Sequence, residues 1–159
     1  MSGIVVVPFR RELAGDFRRL NLDWIERLFK VEAPDLKVLN DPDGVIIAPG
    51  GMVFFALDGE QVVGTVAMIR AGDGRCELAK MAVATSHQGR GIGELLGQAC
   101  TAWAAANGVR TVFLETNSKL GNAIRLYERL GFRRSVEPNP PDYVRCDVYM
   151  ELPVKENGG

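Results

Sequence analysis

The sequence predicts a single α+β domain, and three observations support that prediction. The chain has 159 residues, an ordinary length for one domain and enough to bury a core without a disulfide or a metal. Residues 52–57 and 61–69 are strand-like and are joined by Asp58-Gly59, a strong hairpin signal. From Ile92 onward the apolar residues recur with a helical period.

The other elements of the N-terminal half follow from local patterns. Residues 4–7 are mostly β-branched and predict a first strand, whereas residues 11–30 carry apolar side chains at helical spacing. Proline and glycine interrupt residues 31–51, which predicts a short helix and loops. The Gly72–Gly74 turn precedes another predicted strand over residues 76–84.

The C-terminal half alternates helices and strands. The helix that begins near Ile92 is predicted to close at Asn107-Gly108, since such residues commonly end helices. Residues 111–116 predict a strand, and a further helix is expected to end at Gly131. After a proline-rich loop, residues 144–152 predict the final strand.

Composition excludes several classes of protein. The net charge is −1, which argues against a nucleic-acid partner, because such proteins usually carry a basic excess. Three widely spaced cysteines and one histidine fit neither a disulfide framework nor a metal site, so we expect a cytoplasmic protein without a metal. The apolar runs are too short to span a bilayer, and no membrane partner is expected. We expect one domain over residues 1–152 and a disordered tail over 153–159.

A glycine-rich turn, Gln88-Gly89-Arg90-Gly91-Ile92-Gly93, lies between a predicted strand and a predicted helix. Glycine lets a backbone approach a ligand closely, and the first N–H groups of a helix bind phosphate. A dinucleotide motif would need a third glycine where Glu94 stands, and the chain has no Gly-Lys pair for a nucleotide-triphosphate loop. On these residues alone, a flexible turn without a ligand stays open as the alternative.

Two segments together make the chain resemble the GNAT superfamily of acetyltransferases. The family's phosphate motif, Gln/Arg-x-x-Gly-x-Gly/Ala, matches Gln88, Gly91 and Gly93. Further along, residues 122–132 look like the family's A-x-x-L-Y-E-x-x-G-F signature. The resemblance covers roughly residues 52–152.

This resemblance implies a fold and a co-substrate. The implied fold is a mixed, mostly antiparallel sheet flanked by helices, in which the strands before Gly91 and after Gly108 run parallel and splay apart. Acetyl-CoA would insert its pantetheine arm between them. The implied cofactor contacts are the backbone at Met81, Ala82 and Val83 and the turn at Gln88, Gly89, Arg90, Gly91, Ile92 and Gly93. Segments 20–25 and 115–118 are also similar to a subgroup fused to MarR-type regulators.

One position departs from the family pattern. Many members carry asparagine seven residues before the signature tyrosine, where this chain has Leu120. Asn122 lies five residues before Tyr127 instead. The candidates for the pantetheine contact credited to that asparagine are therefore Asn117 and Asn122.

Tyr127 is the candidate general acid. The resemblance places its hydroxyl near the sulfur of CoA, where the leaving thiolate gains from receiving a proton. The alternative is an aromatic side chain that packs on the sheet, since Ala123, Tyr127 and Leu130 share one helix stripe.

Glu77 is the candidate general base. An amine with a pKa of about 10.4 is neutral in about one molecule in a few thousand at pH 7, so it must lose a proton before it attacks. Glu77 lies eleven residues before Gln88, the spacing of the catalytic glutamate in histone-acetyltransferase-like members. On a regular strand it would share a face with Ala79, Met81 and Val83, and partial burial would raise its pKa. The alternative is an edge carboxylate paired with Lys80 or Arg75.

Other chemistry-bearing residues have weaker patterns. Cys100 and His87 could form a nucleophile and base, but Cys100 falls on or beside an apolar helix face and is expected in the core. Trp24 and Phe17 could line an acceptor pocket, although their helical spacing is equally typical of core residues.

The sequence therefore predicts an N-acetyltransferase that moves an acetyl group from acetyl-CoA to a primary amine by direct attack in a ternary complex. We expect a small-molecule amine or amino-acid-like acceptor, with a peptide or protein amine as the alternative. The chain is expected to be a monomer or homodimer. The competing hypotheses are a non-catalytic sensor that binds CoA or acyl-CoA, and an α+β domain without a cofactor.

Overall fold

A seven-stranded sheet organises the computed structural model, which describes residues 3–138 and 140–155. In chain order the strands are β1 (Ile4–Pro8), β2 (Met52–Asp58), β3 (Gln61–Gly72), β4 (Arg75–Val83), β5 (Thr111–Thr116), β6 (Arg133–Arg134) and β7 (Val148–Pro153). Across the sheet their order is β1-β2-β3-β4-β5-β7-β6, and only β4 and β5 pair in parallel. The predicted fold class is confirmed.

In the described part of the chain, four α-helices cover the two faces of the sheet: α1 (Ala14–Leu28), α2 (Ala33–Asn40), α3 (Ile92–Ala106) and α4 (Gly121–Arg129). Buried residues of α1 and α2 share one core cluster, and those of α3 and α4 share the other. Strand β3 serves both clusters because its side chains alternate: Val66 and Met68 face α3, whereas Ala67 faces α1.

Local sequence explains where two of these helices begin and end. At the start of α2, the side chains of Glu32 and Asp35 cap each other's backbone N–H groups, and Pro34 occupies the first turn. α3 ends at Asn107-Gly108 as predicted, with Gly108 in the left-handed region at φ +74°.

A bulge in β4 changes which face its side chains occupy. Thr65 pairs with Ala82 and Ala67 pairs with Ala79, so two steps along β3 match three along β4. The extra residue, Lys80, adopts φ +56°, which is rare for a residue with a side chain. The residues after the bulge are consequently shifted by one face.

The final strand, β7, begins at Val148 and not at residue 144 as predicted. In the segment before it, Cys146 N–H donates to the carbonyl of Tyr143, and the Asp147 carboxylate accepts two hydrogen bonds from Ser118. The segment is therefore held as a turn up to Asp147, whose N–H donates to the Thr116 carbonyl at 2.9 Å where the β5–β7 pairing starts.

At the other end, β7 extends to Pro153, and Val154 N–H donates to the carbonyl of Arg110 at 2.8 Å. The expected disordered tail therefore does not begin at 153. Residues 156–159, on which the rest of that prediction falls, lie outside the described residues.

Candidate active site

A split between β4 and β5 creates a large cavity. The two strands pair only from Arg75 to Glu77 on β4 and from Thr111 to Phe113 on β5, although both continue beyond these rungs. The backbone of β4 past Glu77 therefore has no strand beside it on the β5 side. The cavity in this gap has a volume of about 970 Å³, and the predicted splayed pair is confirmed.

The N-terminus of α3 opens onto this cavity. Gly91 precedes the helix with φ +77°, and a Cβ built there would meet no heavy atom within 4 Å. The first amides of α3 have no partner within the helix, and no side chain caps them. This end carries the positive pole of the helix dipole, so it suits a phosphate group.

Most of the predicted cofactor residues line this one cavity. They are Met81, Ala82, Val83, Gln88, Gly89, Gly91, Ile92, Gly93, Asn117 and Asn122. Arg90 does not line it and is exposed to solvent. The glycine-rich turn therefore lines the cavity with its other residues, whereas the Arg90 side chain lies outside it.

Both candidate asparagines already make side-chain hydrogen bonds. Asn117 donates to the carbonyl of Arg145 at 2.6 Å and accepts from Lys119 N–H at 2.8 Å. The Asn122 side-chain oxygen accepts a hydrogen bond from Arg125. Asn117 therefore uses both its amide nitrogen and its oxygen, whereas the amide nitrogen of Asn122 donates to no group among the described residues.

Tyr127 is packed in the core and also lines the cavity, so its position is compatible with both interpretations of the sequence. Its ring is buried and packs edge-on against Phe132 with the centroids 6.0 Å apart. It also lines the cavity, and its hydroxyl has no hydrogen-bond partner among the described residues. Burial raises the pKa of Tyr127 to about 12, so the hydroxyl keeps its proton at neutral pH.

Glu77 was predicted to share a face of β4 with Met81 and Val83, but in the structure it lies on the opposite face of the sheet from them. It pairs with Ile69, which packs into the α1 cluster, whereas Met81 and Val83 pack against the α3 cluster. The predicted common face is wrong because the Lys80 bulge reverses the alternation. Of that predicted set, Glu77 shares its face only with Ala79.

The Glu77 carboxylate is partly buried and forms no ion pair among the described residues. Arg75 instead contacts Glu151, and Lys80 contacts Asp35, so the paired-carboxylate alternative does not hold. Burial raises the pKa of Glu77 to about 7. The positive charge of Lys80 opposes this rise, and the carboxylates of Asp142 and Glu137 add to it. A carboxylate with this pKa is suited to accept a proton at neutral pH.

A second cavity, of about 460 Å³, adjoins the first and shares Glu77, Ala79 and Tyr143 with it. Its other walls come from α2, Val45, Ile69 and Asp142. Glu77 therefore stands where the two cavities meet.

Sequence analysis missed a buried ion network beside Glu77. Lys80 Nζ donates to Asp35 at 2.6 Å, and Arg145 donates to the same carboxylate at 2.6 and 2.8 Å. Arg145 also contacts Glu32 at 3.3 Å, and Lys80 Nζ donates to the Tyr143 hydroxyl at 3.0 Å. Burial alone would raise the pKa of Asp35, but the bonds from Arg145 and Lys80 outweigh it and lower the pKa to about 2. No local pattern signals these pairs, because their partners are far apart in sequence.

The sequence analysis also missed Glu115, although the alternation of side chains along β5 could have indicated it. Phe113 pairs with Glu77, so alternation along β5 puts Glu115 on the same face two residues later. It lines the first cavity, and burial together with the neighbouring carboxyl groups of Glu137, Glu77 and Asp142 raises the pKa of Glu115 to about 8.

The remaining candidate residues from the sequence lie either in the core or at the first cavity. Phe17 and Cys100 are fully buried core residues, whereas Trp24 lines the first cavity. The His87 ring forms hydrogen bonds with the Asp58 carboxylate through Nε2, at 2.9 Å, and with the Ser86 hydroxyl through Nδ1. It does not pair with Cys100. The nucleophile–base hypothesis is therefore wrong.

No group of three or more His, Cys, Asp or Glu side chains in the described part of the chain is arranged to hold a metal ion. Among residues 3–138 and 140–155, no helix is both long and apolar enough to cross a membrane.

Comparison with known proteins connects this site to a family. The model of the acetyltransferase (GNAT) family matches residues 16–132. N-acetylaspartate synthetase of Danio rerio is 38% identical over 97 residues, which cover 59% of this chain and 34% of that protein. N-acetyltransferase 8B of Rattus norvegicus is 33% identical over 91 residues, or 54% of this chain and 41% of that protein. The chain thus spans well under half of either relative.

Solved structures share the fold. A GNAT-family acetyltransferase from Staphylococcus aureus Mu50 superposes with a TM-score of 0.86 at 20% identity, covering 96% of this chain and 99% of that one. A Salmonella typhimurium protein solved with acetyl-CoA has a TM-score of 0.76 at 17% identity, covering 99% and 97%. At these identities the likeness concerns the fold.

Proposed function

Because the chain belongs to the acetyltransferase (GNAT) family, we propose that it transfers an acetyl group from acetyl-CoA to a primary amine. One observation carries the proposal: the cavity between the split strands is lined at once by the α3 N-terminus, Tyr127 and Glu77. A phosphate-binding element, a proton donor and a proton acceptor thus share one space.

The donor would lie in the first cavity. The helix N-terminus at Gly91 suits the pyrophosphate, and the unpaired edge of β4 at Met81–Val83 suits the amides of the pantetheine arm. Positioning by backbone groups needs no particular side chain, which agrees with the outward position of Arg90.

The acceptor amine would approach from the second cavity and meet the thioester beside Glu77. Its nitrogen attacks the carbonyl carbon directly, a C–N bond forms and the C–S bond breaks. Glu77 takes the proton that the amine loses, and the Tyr127 hydroxyl donates one to the leaving sulfur. No acyl-enzyme is required, and the buried position of Cys100 agrees with this.

The acceptor belongs to the proposal as well. The name of the Danio rerio relative points to aspartate, and those of other relatives indicate N-acetylation in general. We propose a small-molecule amine here, with a peptide amine as the alternative. We also propose a relationship to the acetyltransferase domains that are fused with MarR-type regulators, and a cytoplasmic location.

Two measurements on the purified protein test the function. A thermal-shift titration with CoA should raise the melting temperature, and release of free thiol from acetyl-CoA should depend on added amine. Stabilisation by CoA without amine-dependent thiol release would favour a sensor. No stabilisation at all would contradict any role for CoA.

A further inference from the structure

One face of α2 and one face of the sheet build the second cavity. Residues 33, 34, 37 and 38 of α2 line it, and their spacing places them on the same side of the helix. The sheet contributes Ile69 and Glu77, which pair across β3 and β4, together with Ala79. The volume of about 460 Å³ is in the usual range for a small-molecule pocket. The cavity therefore has room for a small substrate beside Glu77.

The charged residues that line this cavity are Lys37, Glu77 and Asp142. None of the three forms an ion pair among the described residues. The nearby cations Lys80 and Arg145, by contrast, are already paired with carboxylates at 2.6–3.3 Å. Lys37 is therefore the cation that this cavity presents to an anionic group.

Glu77 and Lys37 hold different positions relative to the first cavity. Glu77 lines both cavities, whereas Lys37 lines the second and not the first. A substrate amine at Glu77 would consequently lie at the junction, next to the proposed position of the thioester. An anionic group of the same substrate would point away from the thioester, toward Lys37.

The second cavity also has an apolar wall, formed by Val38, Val45 and Ile69. All three are partly buried and pack against the core cluster that contains α1. An aliphatic group on this wall would remove apolar surface from water. A charged group there would lose hydration without gaining a partner.

From these observations we infer that the acceptor is a free amino acid with an aliphatic side chain, such as leucine. Its amine lies at Glu77, its carboxylate pairs with Lys37, and its side chain contacts the apolar wall. The bonds that form and break are those of the proposed transfer, so the products are the N-acetyl amino acid and CoA. The inference rests on the proposed acetyl transfer and adds the chemical class of the acceptor.

Three acceptors of similar shape test the role of the apolar wall. Leucine, asparagine and aspartate have the same branching in the side chain but differ in polarity and charge. With the wild-type protein, kcat/KM for leucine should exceed that for asparagine by about 10-fold, since burial of a leucine side chain is favourable by that order. Aspartate should be poorer still, because its second carboxylate would face the wall. Equal rates for all three, or a preference for aspartate, would overturn the inference.

A second pair of acceptors tests Lys37. Leucinamide lacks the carboxylate of leucine, and the ratio of their kcat/KM values is compared between variants, so that differences in amine basicity cancel. In Lys37→Gln the ratio of leucine to leucinamide should fall by about 5-fold, the size of one exposed ion pair. Lys37→Arg keeps the charge and should keep the ratio.

Lys30→Gln is the matched control, because Lys30 is exposed and lines neither cavity. It should show the wild-type ratio. Leucinamide also represents the N-terminus of a peptide, which has no carboxylate at this position. An unchanged ratio in Lys37→Gln would contradict the inference and favour the peptide alternative.

Binding separates this inference from the proposed function. Calorimetry with the CoA-loaded protein measures leucine, asparagine and leucinamide without turnover. Binding of leucine that depends on Lys37, without acetyl transfer, would contradict the function and support the acceptor site. Acetyl transfer to simple amines without any binding of leucine would support the function and overturn the inference.

Discussion

Glu77 pairs with Phe113 in the last parallel rung that β4 and β5 share. Beyond this rung the strands separate, and the cavity that we assign to acetyl-CoA begins. The same rung sets the face on which both Glu77 and Glu115 lie, because side chains alternate along each strand. The fold therefore places its desolvated carboxyl groups where the sheet stops pairing.

Tyr127→Phe should lower kcat and kcat/KM together while the ring keeps its packing against Phe132. A loss of about 100-fold corresponds to about 2.7 kcal/mol, which is reasonable for one missing proton donor. Affinity for acetyl-CoA should change little, because the hydroxyl matters mainly when charge builds on sulfur. Single-turnover kinetics is the measurement, since slow product release could hide the effect in kcat. A variant with wild-type chemistry would return Tyr127 to a packing role.

Glu77→Gln should reduce the rate most near neutral pH. With a pKa of about 7, Glu77 is ionised in only about one tenth of molecules at pH 6, so the wild-type rate should rise through pH 7. The variant should lack this rise and partly recover at high pH, where more amine is neutral. Superimposable pH–rate profiles would argue for a different base.

The same substitution should change stability with a definite sign. The pKa of Glu77 is raised in the folded protein, from 4.5 to about 7, so the folded state holds this proton more tightly than the unfolded state. Its contribution is fully present below pH 4.5 and is lost as pH rises through 7. Glu77→Gln should therefore gain more unfolding free energy relative to wild type at pH 8 than at pH 5, measured by urea denaturation. An equal effect at both pH values would mean that the carboxyl group is well solvated.

Gly91→Val should abolish or strongly weaken CoA binding, because a side chain would project where the phosphate approaches. The strain of a left-handed residue should cost about 1–2 kcal/mol in addition. Gly108→Val is the matched control: its φ of +74° is nearly the +77° of Gly91, and the space around it is equally open. Calorimetry with CoA should show loss at Gly91 and wild-type affinity at Gly108. Equal affinities in the two variants would mean that the glycine-rich motif is only a turn and does not bind the phosphate.

Asp35→Asn should destabilise the protein by about 3–5 kcal/mol, because Lys80 and Arg145 would be left as buried cations without their carboxylate. Asp43→Asn, which breaks the exposed pair with Arg11, should cost at most about 1 kcal/mol. Urea denaturation of the two variants makes the comparison. Similar values would show that the network is accessible to water.

Local sequence was sufficient for the elements and for the phosphate turn. Strand alternation, helical periodicity and the positions of Gly91 and Gly108 depend on neighbours within a few residues, and the structure follows them closely. The prediction over residues 144–152 failed at its start because Asp147 and Arg145 bond to distant elements.

The sequence by itself determined the fold class, the family and the identity of the candidate acid and base. Only the tertiary structure decided the surroundings of those residues: the Lys80 bulge that turned Glu77 away from Met81, and the Asp35 network that consumed the nearby cations. The burial of Glu115, which raises the pKa of its carboxyl group to about 8, also appeared only in the structure. The physical reason is the distance along the chain over which each kind of interaction acts. Helix and strand patterns arise from neighbours along the chain, whereas burial, ion pairing and pKa depend on groups that folding brings together from distant segments.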